Sequence, residues 1–234
     1  MSKAQSPQMK PNAQYNLAKV DSITHKLGLR VRRQMFVYFM ERFAPTSADT
    51  VLDVGVTSDD QYAASNYFEL LYPFKNNIIA AGIDDASFLE ALYPGLRFVK
   101  ASALDMPFRD RTFDFVHSSA VLEHVGSISN QTKMITECLR VARRGVCLTT
   151  PNRWFPVEFH TQLPLVHWLP KSVFRAILHG LGYDFFAEEK NLNLMSRAEL
   201  RNMFRHLDGW EFQIISPKLL GWDTNLMLFA TRNR

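Results

Sequence analysis

The stretch that most constrains this chain is Thr50 to Asp60, TVLDVGVTSDD, where a short apolar run closes on an acid and a glycine and opens into a hydroxyl-rich turn. Val51, Leu52 and Val54 read as a buried strand, with Asp53-Val54-Gly55 where that strand leaves a sheet. Ser58 and Gln61 have capping-box spacing, each satisfying the other's free backbone donor, so a helix is expected from about Asp59 to Tyr72. Strand, glycine turn and helix N-terminus together offer backbone N–H groups to an anionic group at the mouth of a parallel sheet. A single glycine is a weaker signal than G-x-G-x-x-G, so its neighbours carry the argument.

Those neighbours repeat the theme. NIIAAGI, Asn77 to Ile83, is a second buried strand ending in Asp84-Asp85, and Arg97 to Lys100 is a short third. FDFVH, Phe113 to His117, is a fourth, and GVCLT, Gly145 to Thr149, a fifth stopped by Pro151. An amphipathic helix, Asn130 to Ala142, lies between the last two. Strands alternating with helices imply an α/β fold with a doubly wound, mostly parallel sheet. Trp210 to Ile215 and Asn225 to Thr231 are placed to close it as an antiparallel pair, giving seven strands.

The flanks behave differently. Residues 1–12 read as a disordered tail, and 13–234 as a single domain, which suits 234 residues of 47% apolar content. Ala13 to Phe43 has helical periodicity, with Val31, Met35, Phe36, Phe39, Met40 and Phe43 in one stripe, Gly28 expected to separate two cap helices, and Pro45 ending the segment. From Asn152 to Asn193 the rhythm fails in a stretch rich in aromatics, His and Pro, with a helix from Lys171 to about His179. A long insertion at the C-terminal end of a strand is where this kind of sheet carries a lid over its substrate. Ser196 and Glu199 then form a capping box that opens a helix to Leu207.

Charge and composition exclude some functions. The net charge of +4 comes from the N-terminal segment, where Lys3, Lys10, Lys19, Lys26, Arg30, Arg32, Arg33 and Arg42 face only Asp21, Glu41 and Asp49. That segment lacks aromatic interleaving and any nucleic-acid module, so it reads as a solvated helix face and no nucleic-acid partner is expected. Eighteen Phe and four Trp exceed what a core of this size needs, which leaves some for a pocket wall. Cys138 and Cys147 have no metal or redox spacing and read as buried thiols. With no apolar leader and no apolar run long enough for a membrane span, a cytoplasmic protein is expected.

Taken in order, the motifs VLDVG, GIDDAS, ALDMPFRDRTFDFVHSSAVLEHV and ECLRVARRGVCLTTPNRWFP resemble the class I S-adenosylmethionine-dependent methyltransferases, and among them the type 11 group. The resemblance covers about Asp49 to Pro156 and implies a Rossmann-like sheet with S-adenosylmethionine as cofactor and S-adenosylhomocysteine as product. It implies that Asp53, Gly55 and Thr57 hold the methionine end, that Asp84, with Asp85 as its near rival, takes the ribose hydroxyls, and that Ser102 and Ala103 flank the adenine. Ser118, at the tip of the fourth strand, is expected to give a backbone contact. The chain departs from the family's DxGxGxG: Val56, Thr57 and Ser58 replace the glycine-rich tail, so either the hydroxyls bind the carboxylate or affinity falls.

On the acceptor side, His160 and His124 are the candidate bases, because an imidazole titrates near neutral pH. Glu123-His124 has a structural alternative, holding its loop, and Glu158 and His167 accompany His160. The spacing of Glu158, His160 and His167 matches no zinc motif, so no metal is expected. The expected activity is methylation at O, N or C of a small molecule, a sugar or a lipid-linked acceptor. The apolar helix after Lys171 also leaves room for transient contact with a membrane surface. A cofactor-binding pseudoenzyme or assembly factor is the alternative.

Overall fold

The structure, a computed structural model, describes residues 23–59, 65–205 and 207–233. The proposed tail, the start of the N-terminal segment and Gln61 lie outside those residues.

Seven strands form one sheet: β1 (Val51–Val54), β2 (Ile78–Gly82), β3 (Arg97–Lys100), β4 (Phe113–Ser119), β5 (Ala142–Pro151), β6 (Trp210–Ile215) and β9 (Asn225–Arg232). Between the last two, β7 (Lys218–Leu219) and β8 (Trp222–Asp223) make a small separate hairpin. The order is β3-β2-β1-β4-β5-β9-β6, with β9 antiparallel to both neighbours and the pairings among β1 to β5 parallel. This is the expected Rossmann-like sheet, and its order reverses between β1 and β4.

Both faces are covered, which explains the nearly continuous apolar runs of β1, β2 and β4. On one face α4 (Ile128–Val141) and α7 (Arg197–Phe204) bury Met134, Ile135, Leu200 and Phe204 against Leu52, Val116 and Leu148. Both helices start on a side-chain cap: Ser127 accepts from Asn130, and Ser196 and Glu199 form the expected capping box. On the other face α1 (Ile23–Phe43), α2 (Tyr67–Leu71) and α3 (Phe88–Leu92) cover Val51, Ile78, Phe115 and Cys147. Cys138 and Cys147 are both buried and free.

Two local expectations are corrected. Gly28 lies within the single continuous helix α1 and does not divide it. A glycine inside a helix costs about 1 kcal/mol, and burying Val31, Met35, Phe39 and Phe43 along one stripe outweighs that. Asp59 itself is not helical, its N–H donating instead to Thr57 Oγ1 at 2.9 Å; residues 60–64 lie outside the described residues, and α2 runs from Tyr67. A hydroxyl two residues upstream competes with the helical bond, a known habit of Ser and Thr in turns.

The insertion builds a core of its own. α5 (Lys171–Gly180) and α6 (Asp184–Ala187) pack Phe174, Leu178, Phe186, Leu192 and Leu194 together with Leu163 and Val166. At its edge Trp154, Trp168 and Trp222 meet, with ring centroids 6.3 and 6.0 Å apart. No helix among the described residues is long and apolar enough to cross a membrane.

Candidate active site

A cavity of about 370 Å³ opens at the C-terminal ends of the strands on both sides of the β1–β4 reversal. That is where open α/β sheets bind ligands, because the loops diverge there. Its wall is made by Gly55, Val56 and Thr57 after β1, Gly82 and Ile83 at the end of β2, Ala101 to Leu104 after β3, and Ser119 to Val121 after β4. Arg32 of α1, His124, Val125 and His160 complete it.

The β1 turn is held by backbone and amide contacts. Gly55 N–H donates to Ala81 O at 2.7 Å, which ties the turn to β2. Asn66, just before α2, accepts from Thr57 N–H and donates to Thr57 O, both at 3.0 Å, so one side-chain amide fixes both backbone groups of Thr57. Gly55 has φ +96°, and a Cβ there would stand 2.1 Å from Val121 Cγ2. Gly82 permits a second close approach, its Cβ position lying 2.6 Å from Val56 O. Both turns are therefore pressed together beneath the cavity floor.

Of the residues expected to hold a cofactor, Gly55, Thr57, Ser102 and Ala103 line the cavity. Asp84 follows the wall residue Ile83 and is half-buried. Asp53 and Ser118 are not among the wall residues: the Asp53 side chain meets His117 on one face of the sheet, and on the other Ser118 Oγ donates to Val54 O at 2.7 Å. Ser119, one residue on, lines the cavity instead. Arg32 went unnoticed in sequence because it sits within a basic run that reads as a solvated face, although it follows Val31 on the buried stripe.

Asp53 belongs to a buried polar group under α1 and α2. Parallel register sets it beside His117, whose Nδ1 is 2.5 Å from Asp53 Oδ1 and whose Nε2 is 3.1 Å from Tyr67 Oη. Phe68 stacks on the imidazole at 4.2 Å. Burial holds His117 neutral, its pKa pushed down to about 3, and raises Asp53 to about 6. Glu69 is fully buried, and neither of its oxygens has a donor among the described residues. Burial and then the Asp53 charge hold its carboxyl well above the usual range.

The acceptor candidates meet at the other end of the cavity. His124, on the turn Leu122–His124, and His160, from the insertion, face each other with Nε2 atoms 3.1 Å apart. His124 Nδ1 bonds to Asn191 O at 2.6 Å, and His160 Nδ1 to Glu158 Oε1 at 2.7 Å. Burial, and then the neighbouring His160, push His124 down to about 3. For His160 the effect of burial is outweighed by the charge and hydrogen bond of Glu158, and its pKa is raised. Glu158 is itself held down at about 2: burial opposes this, but His160 and the N–H of Thr161 prevail. Of the two facing rings, His160 is thus the more readily protonated. His167 plays no part, since its Nε2 bonds to Phe155 O at 2.7 Å and anchors the loop.

Residues 66–149 match the family described as methyltransferase domain. That match spans about a third of the chain, from just before α2 to near the end of β5. Among solved structures, the chain is similar in fold to magnesium protoporphyrin IX methyltransferase from Synechocystis with bound SAH, at a TM-score of 0.58 and 14% identity over 94% of this chain and 91% of that one. It is also similar to the YcgJ protein from Bacillus subtilis, at a TM-score of 0.57 and 13% identity over 86% of this chain and 99% of that one. A SAM-dependent methyltransferase from Aquifex aeolicus gives 0.56 and 14% over 92% and 100%. No curated protein matches this chain.

Proposed function

We propose that this protein transfers a methyl group from S-adenosylmethionine to a small-molecule, sugar or lipid-linked acceptor. The observation that carries the reading is the cavity laid across the ends of β1 to β4, with the Gly55 turn, packed against Val121, in its wall. Gly55 and Thr57 would hold the amino-acid end, Asp84 the ribose, and Ser102 and Ala103 the adenine. When bound, the cofactor supplies an electrophilic methyl group on a sulfonium.

The chain's own part is to place the acceptor and exclude water. His160 enters from the insertion, so docking of that segment closes the acceptor side of the wall. The imidazole pair there stands with Nε2 atoms 3.1 Å apart in the same wall. Leu165, Leu169, Val173 and Leu181 are exposed on the same insertion, which favours an acceptor with an apolar part. One feature favours the second reading, a cofactor-binding protein without catalysis: Val56, Thr57 and Ser58 stand where the family carries glycines.

Calorimetric titration with S-adenosylmethionine tests the first step. Wild-type protein is expected to bind, and Asp84→Ala to lose about 10-fold to 100-fold, since a hydrogen bond to a charged group is worth about 1.5–3 kcal/mol. Absence of binding by the wild-type protein overturns the proposal. A mass gain of one methyl on a screened acceptor then separates enzyme from pseudoenzyme.

A further inference from the structure

Glu123 poses a problem that the imidazole pair does not solve. Its side chain is fully buried, and Oε2 accepts from Thr150 Oγ1 at 2.9 Å. Oε1 has no hydrogen-bond partner among the described residues and lies 3.8 Å from His124 Nε2. One proton accounts for the contact between the rings, yet it leaves this buried oxygen unsatisfied, which is costly.

We propose that Glu123, His124 and His160 form a binding site for one first-row divalent cation, Zn²⁺ foremost, in the wall of the cavity. One donor atom from each residue lies within 4.8 Å of the others. Metal–nitrogen bonds of about 2.0–2.1 Å place tetrahedral donors about 3.3 Å apart, and the observed 3.1 and 3.8 Å bracket that spacing. The outer contacts have the pattern of a ligand set. A ligating imidazole normally gives its other N–H to a carbonyl or carboxylate, and a ligating carboxylate is itself hydrogen-bonded. Here His124 gives Nδ1–H to Asn191 O, His160 gives its own to Glu158, and Glu123 is held by Thr150.

Two imidazoles and a carboxylate suit zinc, iron or manganese better than magnesium or calcium. Three protein ligands leave a position for an outside ligand, as in catalytic sites. Both histidines line the cavity, so that position takes water or an oxygen of the acceptor. The site stands on these side chains alone; the assignment of its outer ligand to an acceptor rests on the function proposed above. The set was hidden in sequence because His160 is 36 residues from His124 and reaches it only through the fold of the insertion.

The test is titration of chelator-stripped full-length protein with Co²⁺, followed by its visible d–d bands, and then displacement by Zn²⁺. One equivalent with a tetrahedral spectrum is expected. Glu123→Gln and His160→Ala should abolish it, while His179→Ala, on an exposed histidine paired with Asp184, should leave it unchanged. Glu158→Gln, which keeps all three ligands, should weaken binding about 10-fold to 100-fold and serves if His160→Ala does not fold. No spectrum, or one that survives in Glu123→Gln and Glu158→Gln alike, overturns the site. Titration with S-adenosylmethionine on the same samples reports separately on the methyl-transfer reading: metal binding without cofactor binding keeps the site and removes that reading.

Discussion

Replacing Gly55 with alanine tests the arrangement beneath the cavity. Two penalties are expected. At φ +96° a side chain is strained by about 1–3 kcal/mol. The new Cβ would also sit 2.1 Å from Val121 Cγ2, and Val121 is β-branched and belongs to the cavity wall, so overpacking adds about 1–3 kcal/mol. Together these come to roughly 2–6 kcal/mol, a fall in Tm of roughly 4–24 °C at about 2–4 °C per kcal/mol. The two penalties are separable. Val121→Ala removes the atom struck but leaves the backbone strain, so Gly55→Ala with Val121→Ala should be less destabilised than the sum of the single variants, by about 0.5–3 kcal/mol. Urea unfolding of the four proteins measures the cycle, and titration with S-adenosylhomocysteine shows whether the displaced wall costs affinity. If the two changes add, or Gly55→Ala unfolds no earlier than wild type, the contact is not as described.

Further outcomes follow from the buried titratable groups. Asp53 has a folded pKa of about 6 against an ordinary 3.8, so its contribution to stability is full below 3.8 and lost as pH rises through 6. His117, held at about 3, contributes above 6.5 and loses that as pH falls, so the two oppose each other across the acid range. Asp53→Asn removes one side of the balance: between pH 7.5 and 4 the variant should lose about 3 kcal/mol more than wild type, at 1.36 kcal/mol per pKa unit, and parallel urea curves at those two pH values would contradict this. Burial pushes the Cys138 thiol up to about 12 and the Cys147 thiol well above its ordinary value, so both should resist a disulfide reagent in the native protein and react on unfolding. Rapid native labelling of either would show that the core around β5 opens.

How far the chain can be read without its structure depends on the range of the forces involved. The central strands were legible because each is an apolar run buried on both faces, α4 because its apolar residues recur with helical period, and α7 because its capping box is local. Gly28 misled because a propensity of about 1 kcal/mol yields to packing against residues far away in sequence. The partnership of Asp53 with His117 depends on the register of two parallel strands 64 residues apart, and nothing local states that register. His124 and His160 were each visible as imidazoles near the right strands, but their meeting requires the insertion to fold back. The same holds for Arg32, whose place on the wall is set by how α1 lies on the sheet.

The tryptophans at the edge of the insertion give it an optical signature. Three of the chain's four, Trp154, Trp168 and Trp222, sit within coupling distance of one another, while Trp210 lies apart beneath Arg232. Emission and near-ultraviolet dichroism therefore report mainly on how the insertion packs against the β7–β8 hairpin, without any added dye.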